Sequence, residues 1–313
     1  MNQTIYIIGA GAIGKALAVF LKKQGKTVIL LRGSVDTGSS STETIQVTLS
    51  DQTIVEASVE VETLSNLSEL KGIIVLTNKS YGNTQLAQKL KGKTGNSPIV
   101  ILQNGLGIEN PFEANGFPDI YRCVLFATSQ VISEWQVRFK PVTVSPIGII
   151  QHKDSALSSI VDQLTSSYFP FRVEANIQPV IWKKAIINSV FNSVCPLLDS
   201  DNGIFHRNEK ALAIAQRVIR ECLAIANTKG IDLPYNEVTE GLLQISRFSD
   251  GQLISTLQDI KNNRPTEIDT LNFEIVRIAQ TLNKESFVRE TQLLGELTLL
   301  KSEIGLQALP QKK

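Results

Sequence analysis

The chain has 313 residues, of which 42% are hydrophobic and 19% charged, and its formal net charge is +1. Such a length allows two domains, whereas a nearly neutral chain without basic blocks argues against nucleic acid as a partner. The apolar runs are too short to span a membrane, and because a strand-like run begins near residue 5 we expect no signal peptide. The 3 cysteines lack metal-ligand and Cys-x-x-Cys spacing, so we expect no metal site and free thiols in a cytoplasmic protein.

The first predicted elements are a strand, a glycine-rich turn and a helix. Residues 5–8 are an apolar run, Gly9, Gly11 and Gly14 follow, and residues 13–21 have helical apolar spacing. In dinucleotide-binding folds these glycines allow a tight turn, an approach of the backbone to a pyrophosphate, and close helix–strand packing. The helix N-terminus then offers N–H groups to the phosphates. The predicted cofactor-binding residues of this turn are Gly9, Gly11, Ala12, Ile13 and Gly14.

The second predicted strand, residues 27–31, indicates which dinucleotide binds. It ends at Arg32, about 20 residues beyond the glycines, where NAD-specific folds carry an acidic residue. A guanidinium pairs with a 2′-phosphate, which a carboxylate would repel. Gly33 and Ser34 leave room for this group, and Ser34 can donate a further hydrogen bond. Although a solvated arginine at a strand end is the alternative, the position favours NADP(H) over NAD(H).

The rest of the N-terminal half is rich in predicted strands. Alternating residues at 45–49 and 54–61 indicate a β-hairpin or edge strands. Continuous apolar runs at 73–76 and 99–102 are typical of parallel strands buried on both faces, with a helix at 83–91 between them. The remaining predictions are strands at 124–132, 137–139, 143–150 and 171–174 and a helix at 154–167.

From Pro179 onward the pattern becomes helical. The predicted helices cover residues 180–194, 208–229, 236–247, 252–261, 267–283 and 288–304. The fold class is therefore α/β, with an N-terminal doubly wound Rossmann sheet over residues 1–175 and an all-helical C-terminal domain over 176–313. We expect NADP to bind the first domain, and substrate binding and catalysis to belong to the second. The ligands are expected between the domains, outside the carboxyl ends of the parallel strands.

Two polar residues follow the buried strands at the edge where ligands bind. Lys79 comes after the run at 73–76, and Asn104 comes after the run at 99–102. A surface lysine and an Asn-Gly turn would each explain one of them equally well. Their joint occurrence at two strand ends favours a cofactor or substrate role.

A third polar group lies on the first helix of the C-terminal half. Lys184, Asn188 and Asn192 are spaced i, i+4 and i+8, which places them on one helix face. Asparagine is a poor helix former, so two of them in register with a lysine favour a ligand-facing stripe over a solvent face. Ser255 and Glu267 have no comparable signal in the sequence. For Glu267 a structural explanation is enough, since an acidic residue near a helix start complements the helix dipole.

These motifs together resemble the ketopantoate reductase (2-dehydropantoate 2-reductase) family over nearly the whole chain. The resemblance rests on the glycine turn, Arg32, Lys79, Gln103-Asn104-Gly105, residues 182–192, Asp201-Asn202-Gly203, and residues 255–269. It implies that NADPH reduces a branched 2-oxo acid, 2-dehydropantoate, to pantoate, in pantothenate and coenzyme A biosynthesis.

The resemblance also implies a role for each matching residue. Lys184 matches the catalytic lysine, and Glu267 matches the acidic partner that holds the substrate hydroxyl. The matching substrate-binding positions are Asn188, Asn192 and Ser255, while Lys79 and Asn104 match residues near the nicotinamide and the reacting carbonyl. After Asn192 this chain has Ser193-Val-Cys-Pro196 where the family usually has a Pro-Leu/Ile-Thr-Ala type of segment.

Two alternatives stay open on the sequence. A reductase of another branched 2-oxo acid would keep all these residues except those that shape the pocket. A non-catalytic NADPH sensor would bind partners through its helical domain, but it would not need Lys184 and Glu267. The oligomeric state also stays open, a homodimer included.

Overall fold

The computed structural model describes residues 3–33, 36, 38–152 and 156–307. Ser34, the first residues of the predicted helix at 154–167 and the C-terminal tail lie outside this part of the chain. The chain divides into two compact units, one of residues 1–104 with 108–177 and one of residues 105–107 with 178–313.

The first unit is built on a sheet with 11 strands in the described residues. The strands are β1 Thr4–Ile8, β2 Val28–Arg32, β3 Ser41–Thr48, β4 Ile54–Thr63, β5 Gly72–Leu76, β6 Ile99–Ile101, β7 Ile120–Cys123, β8 Ala127–Ser133, β9 Gln136–Pro141, β10 Ser145–Gln151 and β11 Phe171–Val173. Their order is β11-β10-β7-β6-β5-β1-β2-β4-β3-β9-β8. The central strands β4, β2, β1, β5, β6 and β7 pair in parallel, which is the strand order of a Rossmann fold.

Helices cover both faces of this sheet. They are α1 Ala12–Lys23, α2 Asn83–Leu90, α3 Asn110–Ala114 and α4 Leu157–Leu164. Successive side chains of a strand point to opposite faces. Accordingly, Ile5 and Ile7 of β1 belong to a core cluster with apolar residues of α1, whereas Tyr6 and Ile8 belong to a second cluster with residues of α2 and α3. The doubly wound sheet predicted from the continuous apolar runs is confirmed.

The predicted strands correspond to observed strands with shifted bounds, and one observed strand was missed. Strands β3 and β4 form the expected antiparallel hairpin. The strand predicted at 124–132 corresponds to β8, which begins only at Ala127, whereas β7 was not predicted. Arg122 interrupts the apolar pattern of β7, yet its side chain is buried and pairs with Glu109. Because its ion pair allows a charged residue to be buried, the apolar run that would indicate a buried strand is interrupted, and the hydrophobicity pattern does not predict β7.

The second unit contains the helical half of the chain. Its helices are α5 Ile177–Leu197, α6 Ile204–Arg207, α7 Glu209–Thr228, α8 Tyr235–Phe248, α9 Ser255–Lys261, α10 Asn272–Thr281 and α11 Arg289–Gln307. The helical C-terminal region is confirmed, but the single helix predicted over 267–283 was wrong. A 3-10 turn covers Ile268–Thr270, and Leu271 departs from helical geometry (φ −114°, ψ −97°) before α10 begins. None of the helices in the described residues has the length and apolar character needed to cross a membrane.

Candidate active site

The glycine turn after β1 has the geometry that its spacing predicts. Gly9 has φ +120°, and a Cβ at this position would collide with the main-chain nitrogen of Asn78. A Cβ at Gly14 would collide with the carbonyl oxygen of Gly9. At Gly11, by contrast, a Cβ would meet nothing within 4 Å. The first and third glycines are therefore required by packing, while the second leaves open space at the start of α1, as an approaching pyrophosphate would need.

The end of β5 holds this turn in place. The Thr77 hydroxyl donates to the carbonyl oxygen of Gly9 at 2.8 Å, and the Thr77 and Asn78 amides donate to that of Ile8 at 2.8 and 3.1 Å. Helix α1 begins at Ala12 with no side-chain cap and no acidic residue in its first turn. Its N-terminal N–H groups, including those of the predicted residues Ala12 and Ile13, thus suit an anion.

Arg32 lies at the end of β2, as predicted, with two residues that the sequence did not suggest. The Arg32 Cζ lies 6.0 Å from the centroid of the Trp135 ring, and the Lys15 Nζ lies 5.1 Å from the same ring. Lys15 is on α1, directly after the third glycine, and its Nζ donates to the carbonyl oxygen of Glu134. A lysine at that position was visible in the sequence, but nothing there linked it to a tryptophan between β8 and β9.

The segments that follow β5 and β6 are tied together by buried amides. Gln103 Nε2 donates to the carbonyl oxygen of Asn78 at 2.9 Å and to Asn83 Oδ1 at 2.8 Å. Asn83 Nδ2 donates in return to Gln103 Oε1 at 2.8 Å. Lys79 and Asn104 are both exposed beside this network. Each predicted residue therefore lies at the carboxyl end of its strand, on a backbone that hydrogen bonds fix.

In the second unit, α5 carries the predicted lysine and asparagines. Lys184 and Asn188 are half-buried, whereas Asn192 is only 3% exposed. Asn192 Oδ1 accepts hydrogen bonds from Thr256 Oγ1 at 2.8 Å, Ser255 Oγ at 3.2 Å and Thr256 N at 3.3 Å. The structure thus brings Asn192 and Ser255 into contact, and the Asn192 oxygen supports the first turn of α9, which has no cap of its own.

The second unit also includes residues 105–107, which follow Asn104 directly. The Leu106 amide donates to the carbonyl oxygen of Thr270 at 2.8 Å. The Thr270 amide in turn donates to the carbonyl oxygen of Glu267 at 3.1 Å. Glu267 is half-buried and precedes the 3-10 turn rather than starting a long helix. In the described residues, no group of three or more His, Cys, Asp or Glu is placed to hold a metal ion.

The sequence model described as "Ketopantoate reductase PanE/ApbA" matches residues 5–147, and the model of its C-terminal domain matches residues 176–293. The chain belongs to the ketopantoate reductase family. The resemblance inferred from the motifs is confirmed, and a nicotinamide cofactor fits both this oxidoreductase family and the open glycine turn.

Curated relatives have the same family name. A 2-dehydropantoate 2-reductase of Pyrococcus abyssi (strain GE5 / Orsay) is 29% identical over 289 residues, which cover 90% of this chain and 93% of the relative. A 2-dehydropantoate 2-reductase of Streptococcus pyogenes serotype M6 is 26% identical over 275 residues, which cover 86% of this chain and 88% of the relative.

Solved structures of similar proteins share the fold. A ternary structure of D-mandelate dehydrogenase with NADH and anilino(oxo)acetate has a TM-score of 0.80 and 22% identity, and covers 96% of this chain and 99% of its own. A dimeric ketopantoate reductase from Staphylococcus aureus has a TM-score of 0.78 and 19% identity over the same shares. At these identities the likeness extends to the fold of the ketopantoate reductase family and not to the substrate.

Proposed function

We propose that this protein is a 2-dehydropantoate 2-reductase that uses NADPH to reduce ketopantoate to pantoate, in pantothenate and coenzyme A biosynthesis. The observation that carries the proposal is the α5 face, where Lys184 and Asn188 stand in register with an Asn192 that holds Ser255. Asn192 has a structural role in supporting α9, but that role does not require Lys184 and Asn188 to lie half-buried on the same helix face. The names of the curated relatives support the same substrate.

The first unit is the proposed NADP-binding domain. NADPH, when bound, supplies the hydride for carbonyl reduction. The open backbone at Gly11 and the N–H groups of Ala12 and Ile13 would hold the pyrophosphate, and Arg32 would pair with the 2′-phosphate. Lys79 is proposed to lie near the nicotinamide, at the strand end where such folds bind ligands.

The second unit is the proposed substrate-binding and catalytic domain. Lys184 would stabilise the negative charge that develops on the carbonyl oxygen and would give that oxygen its proton. Asn104 is proposed beside the reacting carbonyl, and Glu267 would accept a hydrogen bond from the substrate hydroxyl. The proposed substrate-binding residues on the helices are Asn188, Asn192 and Ser255.

The test is a steady-state assay of NADPH oxidation with ketopantoate and a panel of other 2-oxo acids, phenylglyoxylate included. We expect the highest kcat/KM with ketopantoate. A higher kcat/KM with another branched 2-oxo acid would favour the alternative that the protein is a reductase of that acid. NADPH binding without turnover of any acid would favour the non-catalytic sensor.

Lys184 and its neighbour provide a matched pair of variants for the same assay. Lys184→Ala should lower kcat by about a hundredfold or more while NADPH still binds. Lys183 lies about 100° around the helix and pairs with Glu237 at 2.6 Å. Lys183→Ala should therefore turn over almost normally, and near-normal turnover of Lys184→Ala would contradict its assignment as the proton donor.

We also propose that two copies associate through α11. This helix buries small polar residues inside its unit and exposes large apolar ones, which is the reverse of the usual pattern of a surface helix. The buried residues are Thr291, Thr298 and Ser302, and the exposed ones are Leu293, Leu297, Leu299, Leu300 and Ile304, all of which except Leu299 lie on one stripe. In a two-fold dimer the same surface of both copies forms the interface, so the exposed apolar stripe of one copy can pack against that of the other. Light scattering of Leu297→Lys should detect monomers, and an unchanged mass would count against this interface.

The proposed location is the cytoplasm, which the three cysteines support. Cys123, Cys195 and Cys222 are all buried and free. Burial raises the pKa of the Cys195 and Cys222 thiols to about 12. Such thiols are unreactive, as expected for structural residues in a reducing compartment.

A further inference from the structure

Trp135 lies beside two cationic side chains of the first unit. It is half-buried in the turn between β8 and β9. Its ring centroid is 5.1 Å from Lys15 Nζ and 6.0 Å from Arg32 Cζ, within the range of about 6 Å over which a ring attracts a cation. The backbone of Trp135 is fixed as well, because its carbonyl oxygen accepts from the Gln46 amide at 2.9 Å.

Lys15 is costly to keep at this position. It is only 6% exposed, and burial lowers the pKa of its ammonium group, while Glu134 raises that pKa and Arg32 lowers it further. A methionine would fill a similar volume without a buried charge or repulsion from Arg32. A phosphate dianion beside both cations would remove the repulsion and gain two charge-assisted hydrogen bonds. Although Lys15 Nζ donates one hydrogen bond to the carbonyl oxygen of Glu134, an ammonium group has three donors, so the arrangement also suits an anion.

We propose that Lys15 and Trp135 determine cofactor specificity together with Arg32, by recognising the 2′-phosphate of NADPH. Lys15 supplies a second positive charge, and Trp135 holds the Lys15 and Arg32 side chains in position before the cofactor binds. This inference rests on the proposed use of NADPH and extends it beyond Arg32. The three residues belong to different elements, so the sheet assembles the cluster.

The experiment measures binding of adenosine 2′,5′-bisphosphate and 5′-AMP, which differ only in the 2′-phosphate, by calorimetry on the full chain. Lys15→Met should lower the affinity for the bisphosphate by about tenfold, which is the scale of one charge-assisted hydrogen bond. The affinity for 5′-AMP should change by no more than about twofold. Trp135→Leu should reduce the preference for the bisphosphate, and Trp135→Phe should retain most of it. Lys23→Met, at the exposed end of the same helix, is the control of equal charge and should change neither affinity.

The outcomes separate this inference from the proposed function. If the unmodified protein does not prefer the bisphosphate, the proposed use of NADPH fails and the inference fails with it. If the unmodified protein shows the preference and only Arg32→Ala abolishes it, the inference alone is overturned. If Lys15→Met lowers the affinity for both nucleotides equally, Lys15 has a structural role and does not recognise the 2′-phosphate. Should Lys15→Met not fold, Lys15→Arg must keep the preference and Lys15→Gln must lose it, and any other result overturns the proposal.

Discussion

The Asn192 side chain offers the sharpest test of how the second unit is held together. Asn192→Ala removes the oxygen on which Ser255 Oγ, Thr256 Oγ1 and Thr256 N converge at 3.2, 2.8 and 3.3 Å. It also removes the donor that reaches the carbonyl oxygen of Asn188 at 2.9 Å. Asn192 is 3% exposed and Thr256 2%, so water cannot easily replace these bonds.

The expected cost follows from the donors left without a partner. An unpaired buried donor costs about 1–3 kcal/mol. Thr256 loses the acceptor of both its hydroxyl and its amide, but the hydroxyl can rotate and Ser255 is exposed to water. We therefore expect Asn192→Ala to lower the free energy of unfolding by about 2–4 kcal/mol. At about 2–4 °C per kcal/mol for a unit of this size, Tm should fall by about 4–16 °C.

The assay combines thermal unfolding with a double-mutant cycle. Asn188→Ala is the matched control, since Asn188 is half-buried one turn earlier on the same face, and it should cost less than about 1 kcal/mol. Thr256→Val removes only the hydroxyl, and its effect should be non-additive with that of Asn192→Ala by about 1 kcal/mol. Because Ser255 loses its support, Asn192→Ala should also raise the KM for the 2-oxo acid but not the affinity for NADPH. An unchanged Tm together with additive effects would refute this reasoning.

Three further outcomes are expected from the same structure. Arg32→Ala should raise the KM for NADPH by about tenfold or more and leave that for NADH little changed in steady-state kinetics, and equal use of both cofactors by the unmodified protein would refute the assignment. Glu267→Gln should fold normally by thermal unfolding yet discriminate poorly between ketopantoate and an analogue without the hydroxyl; a destabilised but fully selective variant would make Glu267 only a support of the turn. Gly14→Ala should destabilise the first unit by about 1–3 kcal/mol because its Cβ has no room, whereas Gly11→Ala should keep the Tm and weaken NADPH binding in a titration; equal losses of stability in both would contradict the different roles of the two glycines.

The sequence alone was enough for features whose signal lies within one element. The spacing of Gly9, Gly11 and Gly14 identified the turn, and in the structure a Cβ would clash at Gly9 and Gly14 and meet open space at Gly11. Alternation identified the hairpin of β3 and β4, and continuous apolar runs identified strands covered on both faces. Spacing of i, i+4 and i+8 aligned Lys184 with the asparagines of α5. Backbone sterics and local periodicity act over a few residues, so a single sequence records them.

Only the tertiary structure decided which side chains meet. Arg122 hid strand β7 because its ion pair with Glu109 lets a charge lie in a buried strand. The Asn192 oxygen received its donors from residues 63 and 64 positions away, and Lys15 reached the carbonyl oxygen of Glu134 across 119 positions. A polar side chain has the same local pattern whether its partner is water, a ligand or another residue. A buried polar group needs a hydrogen-bonding partner, whereas an exposed one can use water. Because elements that are distant in the chain decide which side chains are buried, only the folded structure shows which residue is the partner.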